Sequence, residues 1–455
     1  MTTLGEGETA LDEAALEAFA DRMIVVLNDA STALMISIGH QTGLFGALHG
    51  TGPATSAQVA DAGGLNERYV REWLNAMTTA RFVFYDPQSR TYHLPREHAA
   101  WLVEGVGPDN LARPMRFLPL LAEVEQGIVR CFREGGGLSY ADYPRFHAVM
   151  GEDSAAVVDA TLLNRTVPLV EDLDARLRAG IDVADIGCGS GHAINVLARA
   201  YPASRLTGFD FSEEAVAAGR AEAKAWGLTN ARFEFCDVAT LDRPDAFDVI
   251  TAFDTIHDQA HPARVLATIA RALRPSGTFL MVDIHAASAV EDNLDLPWAT
   301  FLYTVSTMHC MTVSLGLDGD GLGTVWGEQV ATRMLHEAGF TDVAIHTIEG
   351  DAFKQLLRCA QNGCRLTNQT SSSTVASARG RPPWLAIASE DTLLVSPTRM
   401  VPEVAVKSAK FHICSPTTAW MRPPAYGQRS TATIGRVRVA TPSVPDCRPA
   451  CGHSR

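Results

Sequence analysis

Ile181-Asp182-Val183-Ala184-Asp185-Ile186-Gly187-Cys188-Gly189-Ser190-Gly191 is the stretch on which the fold is decided. A short apolar strand ends at an acid, a glycine loop follows, and His192 to Ala200 reads as a helix. Glycines let a backbone turn sharply and come close to a ligand. About twenty residues on, Leu206-Thr207-Gly208-Phe209-Asp210 reads as a second strand ending in an acid, the place where ribose hydroxyls are recognised. A lone G-x-G-x-G is a weak signal. The series strand, glycine loop, helix, strand and acid is far more specific. A dinucleotide site is the competing reading. Against it stand Asp185 ahead of the glycines and the spacing G-x-G-x-G in place of G-x-G-x-x-G.

At these residues the chain resembles the class I S-adenosylmethionine-dependent methyltransferases. Their first motif, an acid, an apolar residue and G-x-G-x-G, is matched by Asp185 through Gly191. Further along, Cys236-Asp237-Val238 matches the motif after the third strand, and Phe247 to Phe253 the fourth strand. Leu273 to Phe279 matches the turn into the fifth strand, with Ser276 in place of a glycine, and Met334 to Phe340 the stretch before the sixth. The resemblance implies an α/β fold: a Rossmann-like seven-stranded domain that takes S-adenosylmethionine as cofactor. Asp185, Gly187, Cys188, Gly189 and Gly191 would lie against its methionine and ribose part. Asp210 would hold the ribose hydroxyls, Phe211 would lie near the adenine, and Asp237 would meet the adenine amino group, with Val238 and Phe253 beside the cofactor.

The implied reaction is in-line displacement at a sulfonium methyl. A neutral thioether leaves, so alignment of nucleophile and methyl matters most. If the nucleophile is a hydroxyl, a base helps to remove its proton. The fourth strand runs into Asp254-Thr255-Ile256-His257-Asp258-Gln259-Ala260-His261-Pro262, and strand C-termini face the ligand crevice in open α/β sheets. A histidine there titrates near neutral pH. The segment is similar to the H-D-W of small-molecule O-methyltransferases that carry an N-terminal winged helix. That likeness implies His257 as the base, with Gln259 departing from the family's aromatic. Asp254, His257, Asp258 and His261 also have a metal-like spacing, but acids are favoured at a helix start anyway, and no metal is expected. An aromatic insertion spans 285–327, with Trp298, Phe301, Tyr303, Met308, His309 and Met311 in its helical part and a glycine-rich turn from Gly319 to Gly323. It is placed to wall a substrate pocket. His285 and His309 are secondary base candidates.

Upstream, residues 12–38 and Ile38 to Leu48 read as helices. Ala54-Thr55-Ser56-Ala57-Gln58-Val59-Ala60 is a short helix behind a capping hydroxyl. Asn66 opens a third helix, with Tyr69, Val70, Trp73, Leu74 and Met77 expected on its buried face. Phe82 to Tyr85 and Thr91 to Leu94, separated by Asp86-Pro87-Gln88-Ser89-Arg90, read as a hairpin. Three helices and a hairpin make a winged helix-turn-helix, which either binds DNA or dimerises over a pocket. Arg68, Arg71 and Arg81 stand against Glu67 and Glu72, a weak basic footprint for phosphates. Nucleic acid is therefore not the expected partner. A homodimer and a small-molecule acceptor are. Residues 108–178 read as helices broken at Gly135-Gly136-Gly137. These glycines would permit a flexible, lid-like connection bearing Tyr140, Tyr143, Arg145, Phe146 and His147.

Composition sets the outer limits. The 455 residues are 46% hydrophobic, enough for a large core, and the net charge of −14 argues against a general nucleic-acid binder. No apolar run near the ~18 residues of a membrane span is evident, and the acidic N-terminus lacks the basic and apolar regions of a secretory signal. Scattered cysteines without a CxxC pair fit reduced thiols in the cytoplasm. The average conceals two unlike parts. Residues 1–350 hold 24 Lys+Arg and 47 Asp+Glu, whereas 351–455 hold 14 and 5. The second part also carries 10 of the 23 prolines. Lys354 to Cys359 can be coded AAR-CAR-CTN-CTN-CGN-TGY. Read one base later, this permits Asn-Asn-Tyr-Tyr-Val, a closing strand. The expected organisation is a winged helix over 1–100, a helical connector over 101–178, a methyltransferase domain over 179–353, and a disordered or frameshifted tail over 354–455.

Overall fold

The computed structural model describes residues 11–107, 110–351 and 353–361. The basic stretch 362–455 lies outside the described residues, as do the side chains of Phe146 and His147.

Asp12 caps a long helix, Glu13–Gln41, by accepting from the Ala14 amide at 2.9 Å. Helices Leu44–Thr51, Ser56–Gly63 and Glu67–Thr79 follow, then a two-stranded ribbon of β1 (Phe84–Asp86) and β2 (Thr91–His93). The third of these helices opens with a capping box, Thr55 and Gln58 satisfying each other's amides. Asn66 caps the fourth on Arg68 N at 3.1 Å. Val70, Trp73, Leu74 and Met77 are buried. The Trp73 indole donates to Met35 O at 2.8 Å and meets the Phe45 ring edge-on at 5.1 Å. Tyr69 departs from the expectation and is 80% exposed, because one residue turns the helix by about 100° away from the Val70 stripe. The first helix holds a second correction. Among the described residues it is long and apolar enough to cross a membrane, by length and composition only. Asn28, Asp29, Ser31 and Thr32 interrupt its apolar run without removing its apolar average. Leu16, Phe19, Met23, Ile24 and Leu27 on this helix are exposed.

The connector contains helices Phe117–Ala122, Glu125–Glu134, Phe146–Thr161 and Leu173–Ala179. Its glycine run is not a loose joint. Leu138 N donates to Thr312 O at 3.2 Å, which pins the segment to the helix Met311–Gly316 of the aromatic insertion.

The large sheet has seven strands: β3 (Asp182–Ile186), β4 (Arg205–Asp210), β5 (Ala231–Phe235), β6 (Phe247–Phe253), β7 (Leu273–Ile284), β8 (Asp342–Thr347) and β9 (Lys354–Ala360). Their order is β5-β4-β3-β6-β7-β9-β8. β3 to β7 run parallel, while β9 pairs antiparallel with both β7 and β8. Apolar positions fill both faces, with Ala184, Ile250, Phe279 and Leu357 in one core and Val183, Val249, Leu280 and Leu356 in the other, as expected of a sheet covered by helices on both sides. The order reverses between β3 and β6, so their C-terminal ends open the crevice at the topological switch point.

β9 corrects the expected domain end at residue 353. Lys354 to Ala360 forms the strand that joins β7 to β8, with Leu356, Leu357 and Cys359 fully buried. An interior strand is apolar on both faces, and Leu356-Leu357 supplies one residue to each. The basic, proline-rich composition begins only beyond it.

Candidate active site

β3, β4, β6 and β7 all end at one cavity of about 1130 Å³. Asp185, Gly187, Cys188, Gly189, Asp210, Phe211, Phe253 and His257 line it together. Of the remaining expected site residues, Gly191, Asp237 and Val238 do not. Gly191 has φ 75°, and a Cβ there would lie 2.1 Å from the Phe233 ring, so it serves helix–strand packing. Asp237 caps the turn Val238–Thr240, accepting from Ala239 N at 3.0 Å, and Val238 is buried in the core.

The glycine loop is held by its acids. The carboxylate of Asp210 accepts from Gly189 N and from Ser212 N, each at 2.8 Å, so the end of β4 fixes the loop after β3. Asp185 is buried and accepts from Thr251 Oγ1 of β6 at 2.6 Å. Burial, together with the Asp210 charge, pushes its pKa up to about 7 despite the Thr251 bond. A nucleoside-bearing ligand fits this cradle. Gly189 sits at φ 54°, and a Cβ on it would meet nothing within 4 Å, which leaves open space above the loop.

The turn after β6 presents His257, 3% exposed. Its Nδ1 lies 2.7 Å from Asp283 Oδ1 at the end of β7, and its Nε2 lies 3.3 Å from Asp258 Oδ1. Burial pulls the ring's pKa down, but Asp283 and Asp258 outweigh it and hold the pKa well above 6.5. Asp283 was not singled out from the sequence. Its signal was positional: it ends the strand next to β6, at the same edge of the sheet. Asp254, at the start of the turn, is a non-glycine residue at φ 51° whose carboxylate pairs with Lys354 of β9. Such backbone geometry concentrates at functional sites.

The other candidates separate. His261 is half exposed, 4.0 Å from Asp320, so the metal-like spacing of Asp254, His257, Asp258 and His261 does not close into a cluster. His285 is exposed. His309 is fully buried, with Tyr140 and Tyr143 against its ring at 5.6 and 4.9 Å. The insertion does wall the cavity, through Phe301, Leu302, Val305, Cys310 and Thr324. Tyr140 of the connector also lines it, 5.4 Å from Phe211. On the winged helix, Arg68 pairs with Glu72, and Arg71 with Glu67 at 3.5 Å.

Comparison with known proteins agrees with this architecture. Residues 30–104 match the model of an Rv2258c-like winged HTH domain, and residues 177–339 match that of a methyltransferase domain. The chain thus carries a winged HTH domain followed by a methyltransferase domain. The chain is 30% identical over 240 residues to an uncharacterised 37.1 kDa protein of transposon TN4556 in Streptomyces fradiae, covering 51% of this chain and 64% of that one. It is 33% identical over 141 residues to 27-O-demethylrifamycin SV methyltransferase of Amycolatopsis mediterranei, covering 30% and 50%. It thus spans less than two thirds of either relative. Among solved structures, the mitomycin 7-O-methyltransferase MmcR superposes with TM-score 0.56 at 19% identity, covering 77% of this chain and all of that one. Human N-acetylserotonin methyltransferase in complex with SAM gives 0.55 at 16% identity, covering 78% and 100%. At such identities these two structures speak for the fold alone.

Proposed function

We propose that this chain methylates a hydroxyl of a small, apolar, aromatic or polyketide-like acceptor, with His257 as the base. The observation that carries this reading is a buried histidine held by Asp283 on the wall of the same cavity that the glycine loop lines. When bound, S-adenosylmethionine supplies an electrophilic methyl group. Gly187, Cys188, Gly189 and Asp210 are the residues that would hold it, and Asp185 and Phe253 lie beside them. Phe117, Phe301, Leu302, Val305 and Phe353 offer an apolar wall to the acceptor.

Asp283 accepts from Nδ1–H and so leaves Nε2 as the basic nitrogen. The acceptor's hydroxyl proton passes to Nε2, and Asp283 with Asp258 stabilises the imidazolium that forms. The same two carboxylates keep the free ring protonated at lower pH, so the basic form is populated toward the alkaline side.

The test is turnover against a panel of phenols, read as S-adenosylhomocysteine released. His257→Gln and Asp283→Asn are expected to lower kcat about 10²–10⁴-fold while cofactor affinity stays within threefold. A fully active His257→Gln enzyme removes the base assignment. N-methylation is the second reading, favoured by Asp351 on the cavity wall, which suits a cationic acceptor; Glu104 and Glu152 there already pair with Arg113 and Arg116. Turnover of amines but not of phenols would establish it.

The assembly we propose is a homodimer formed through Glu13–Gln41, whose exposed Phe19, Met23 and Ile24 need a cover. The chain's acidity and the intrahelical pairing of Arg68 and Arg71 support a partner other than nucleic acid. The free cysteines support a cytoplasmic setting.

A further inference from the structure

Three side chains of different chemistry converge where the turn after β6 meets the aromatic insertion. His257 and Asp258 come from the turn, and Cys310 comes from the helical turn Ser306–Cys310. One donor atom from each lies within 4.8 Å of the other two. His257 and Cys310 are 3% and 6% exposed, yet all three residues border the cavity. A solvated surface cluster of acids would have neither property.

Two further observations point to a missing centre. Nδ1 of His257 is taken up by Asp283, the arrangement in which an outer carboxylate fixes the tautomer of a metal-bound imidazole and aims Nε2 at the metal. Asp258 Oδ1 is buried 3.3 Å from that Nε2, and the Cys310 thiol lies within hydrogen-bond reach of both the Asp258 carboxylate and the His257 ring, so the three donors face one point. Bonds of about 2.0–2.3 Å to N, O and S place tetrahedral donors about 3–4 Å apart, so small side-chain shifts suffice. One thiolate, one carboxylate and one imidazole suit a zinc-class ion and not magnesium or calcium, which prefer all-oxygen sites.

We propose that His257, Asp258 and Cys310 bind a thiophilic divalent cation of the zinc class, with the fourth position open to the cavity. Binding the cation does not depend on the methylated atom. Its consequence rests on the base assignment above: the cation takes the Nε2 lone pair, so cation and acceptor exclude each other, and the ion is an inhibitor.

The probe is Co²⁺, titrated into the full chain after removal of metals and read by its thiolate charge-transfer absorption. Cys359 and the cysteines beyond residue 361 are further thiols, so the decisive quantity is the difference between the wild type and Cys310→Ser, two chains that differ by one sulfur. The expected result is a band in the wild type that is lost in Cys310→Ser, with Zn²⁺ displacing the cobalt. Asp283→Asn should weaken binding about 10–100-fold. In turnover, Zn²⁺ should inhibit each protein relative to its own metal-free rate, at a concentration at least tenfold higher for Cys310→Ser. An identical band in the variant, or no band in the wild type, overturns the site while leaving the base assignment intact. Cobalt binding at Cys310 without inhibition by Zn²⁺ keeps the site and removes His257 Nε2 from the reaction. Thermal melts of the metal-free proteins establish that both are folded.

Discussion

Replacing Asp210 is the perturbation whose size comes most directly from the structure. Its two carboxylate oxygens already accept from Gly189 N and Ser212 N at 2.8 Å, and the residue is 8% exposed. Each oxygen keeps a further lone pair for a ribose hydroxyl. A hydrogen bond to a charged acceptor contributes about 1.5–3 kcal/mol, so two of them amount to about 3–6 kcal/mol. At about 1.4 kcal/mol per decade, that is a 10²–10⁴-fold rise in Kd. Asp210→Ala also strands the Gly189 and Ser212 amides, at about 1–3 kcal/mol each in loop stability. Asp210→Asn strands one of them, because its amide nitrogen must face a donor. The two variants therefore separate binding from loop order. Both should lose most of the cofactor affinity, but Asn should melt closer to wild type than Ala. Titration calorimetry with S-adenosylmethionine measures the first quantity, and thermal melting the second. A wild-type Kd, within threefold, in a folded Asp210→Ala protein would refute the assignment of the cradle.

The Asp185 carboxyl, raised to about 7, is protonated in the free protein below neutrality. A bound cationic sulfonium favours its ionised form, so cofactor affinity should rise with pH from about 5 to 7 and then level off, with proton release seen by calorimetry in buffers of different ionisation enthalpy. A flat profile over that window removes Asp185 from the cofactor's electrostatic surroundings. Leu357→Ala in β9 should cost about 2–5 kcal/mol, since its side chain is fully buried; a wild-type melting temperature would place Lys354–Ala360 outside the folded domain. The double variant Phe19→Glu, Ile24→Glu should convert a dimer to a monomer by light scattering, and a monomeric wild type would end the dimer proposal.

What the sequence made legible were features written in local chemistry. The acid–glycine–helix series at Asp185 to Ala200 carries its own geometric necessity, because Gly191 has a left-handed φ that a side chain resists and an aromatic ring where a Cβ would be. Thr55 and Asn66 announced their helices through capping hydrogen bonds made within three residues. Tyr69 misled because residue type stood in for phase: it is aromatic, but one position off the stripe that Val70 begins. β9 misled in the opposite way. It adjoins the basic, proline-rich stretch from residue 362 onward and is grouped with it by the charge count and by the shifted codon reading of Lys354 to Cys359, whereas its strand state comes from β7 and β8, to which it pairs. Composition averages over a window, and strand pairing answers to partners that no such window contains.

The same division runs through the site. His257 was legible because strand C-termini face the crevice and its H-D neighbour was informative. Asp283, whose carboxylate lies 2.7 Å from its Nδ1, was not, because the 25 residues between them conceal a contact made across two parallel strands. Cys310 was hidden further still, in an insertion whose path depends on Leu138 and Thr312 meeting 174 residues apart. Position along a motif therefore points to the proposed base, while the groups around it are contributed by the fold. In this molecule those groups include two carboxylates beside the proposed base and one thiol that completes the proposed cation site. An assay of His257 alone would report their combined effect. Asp283→Asn and Cys310→Ser measured side by side separate it, since the first should change turnover and metal affinity together and the second metal affinity chiefly.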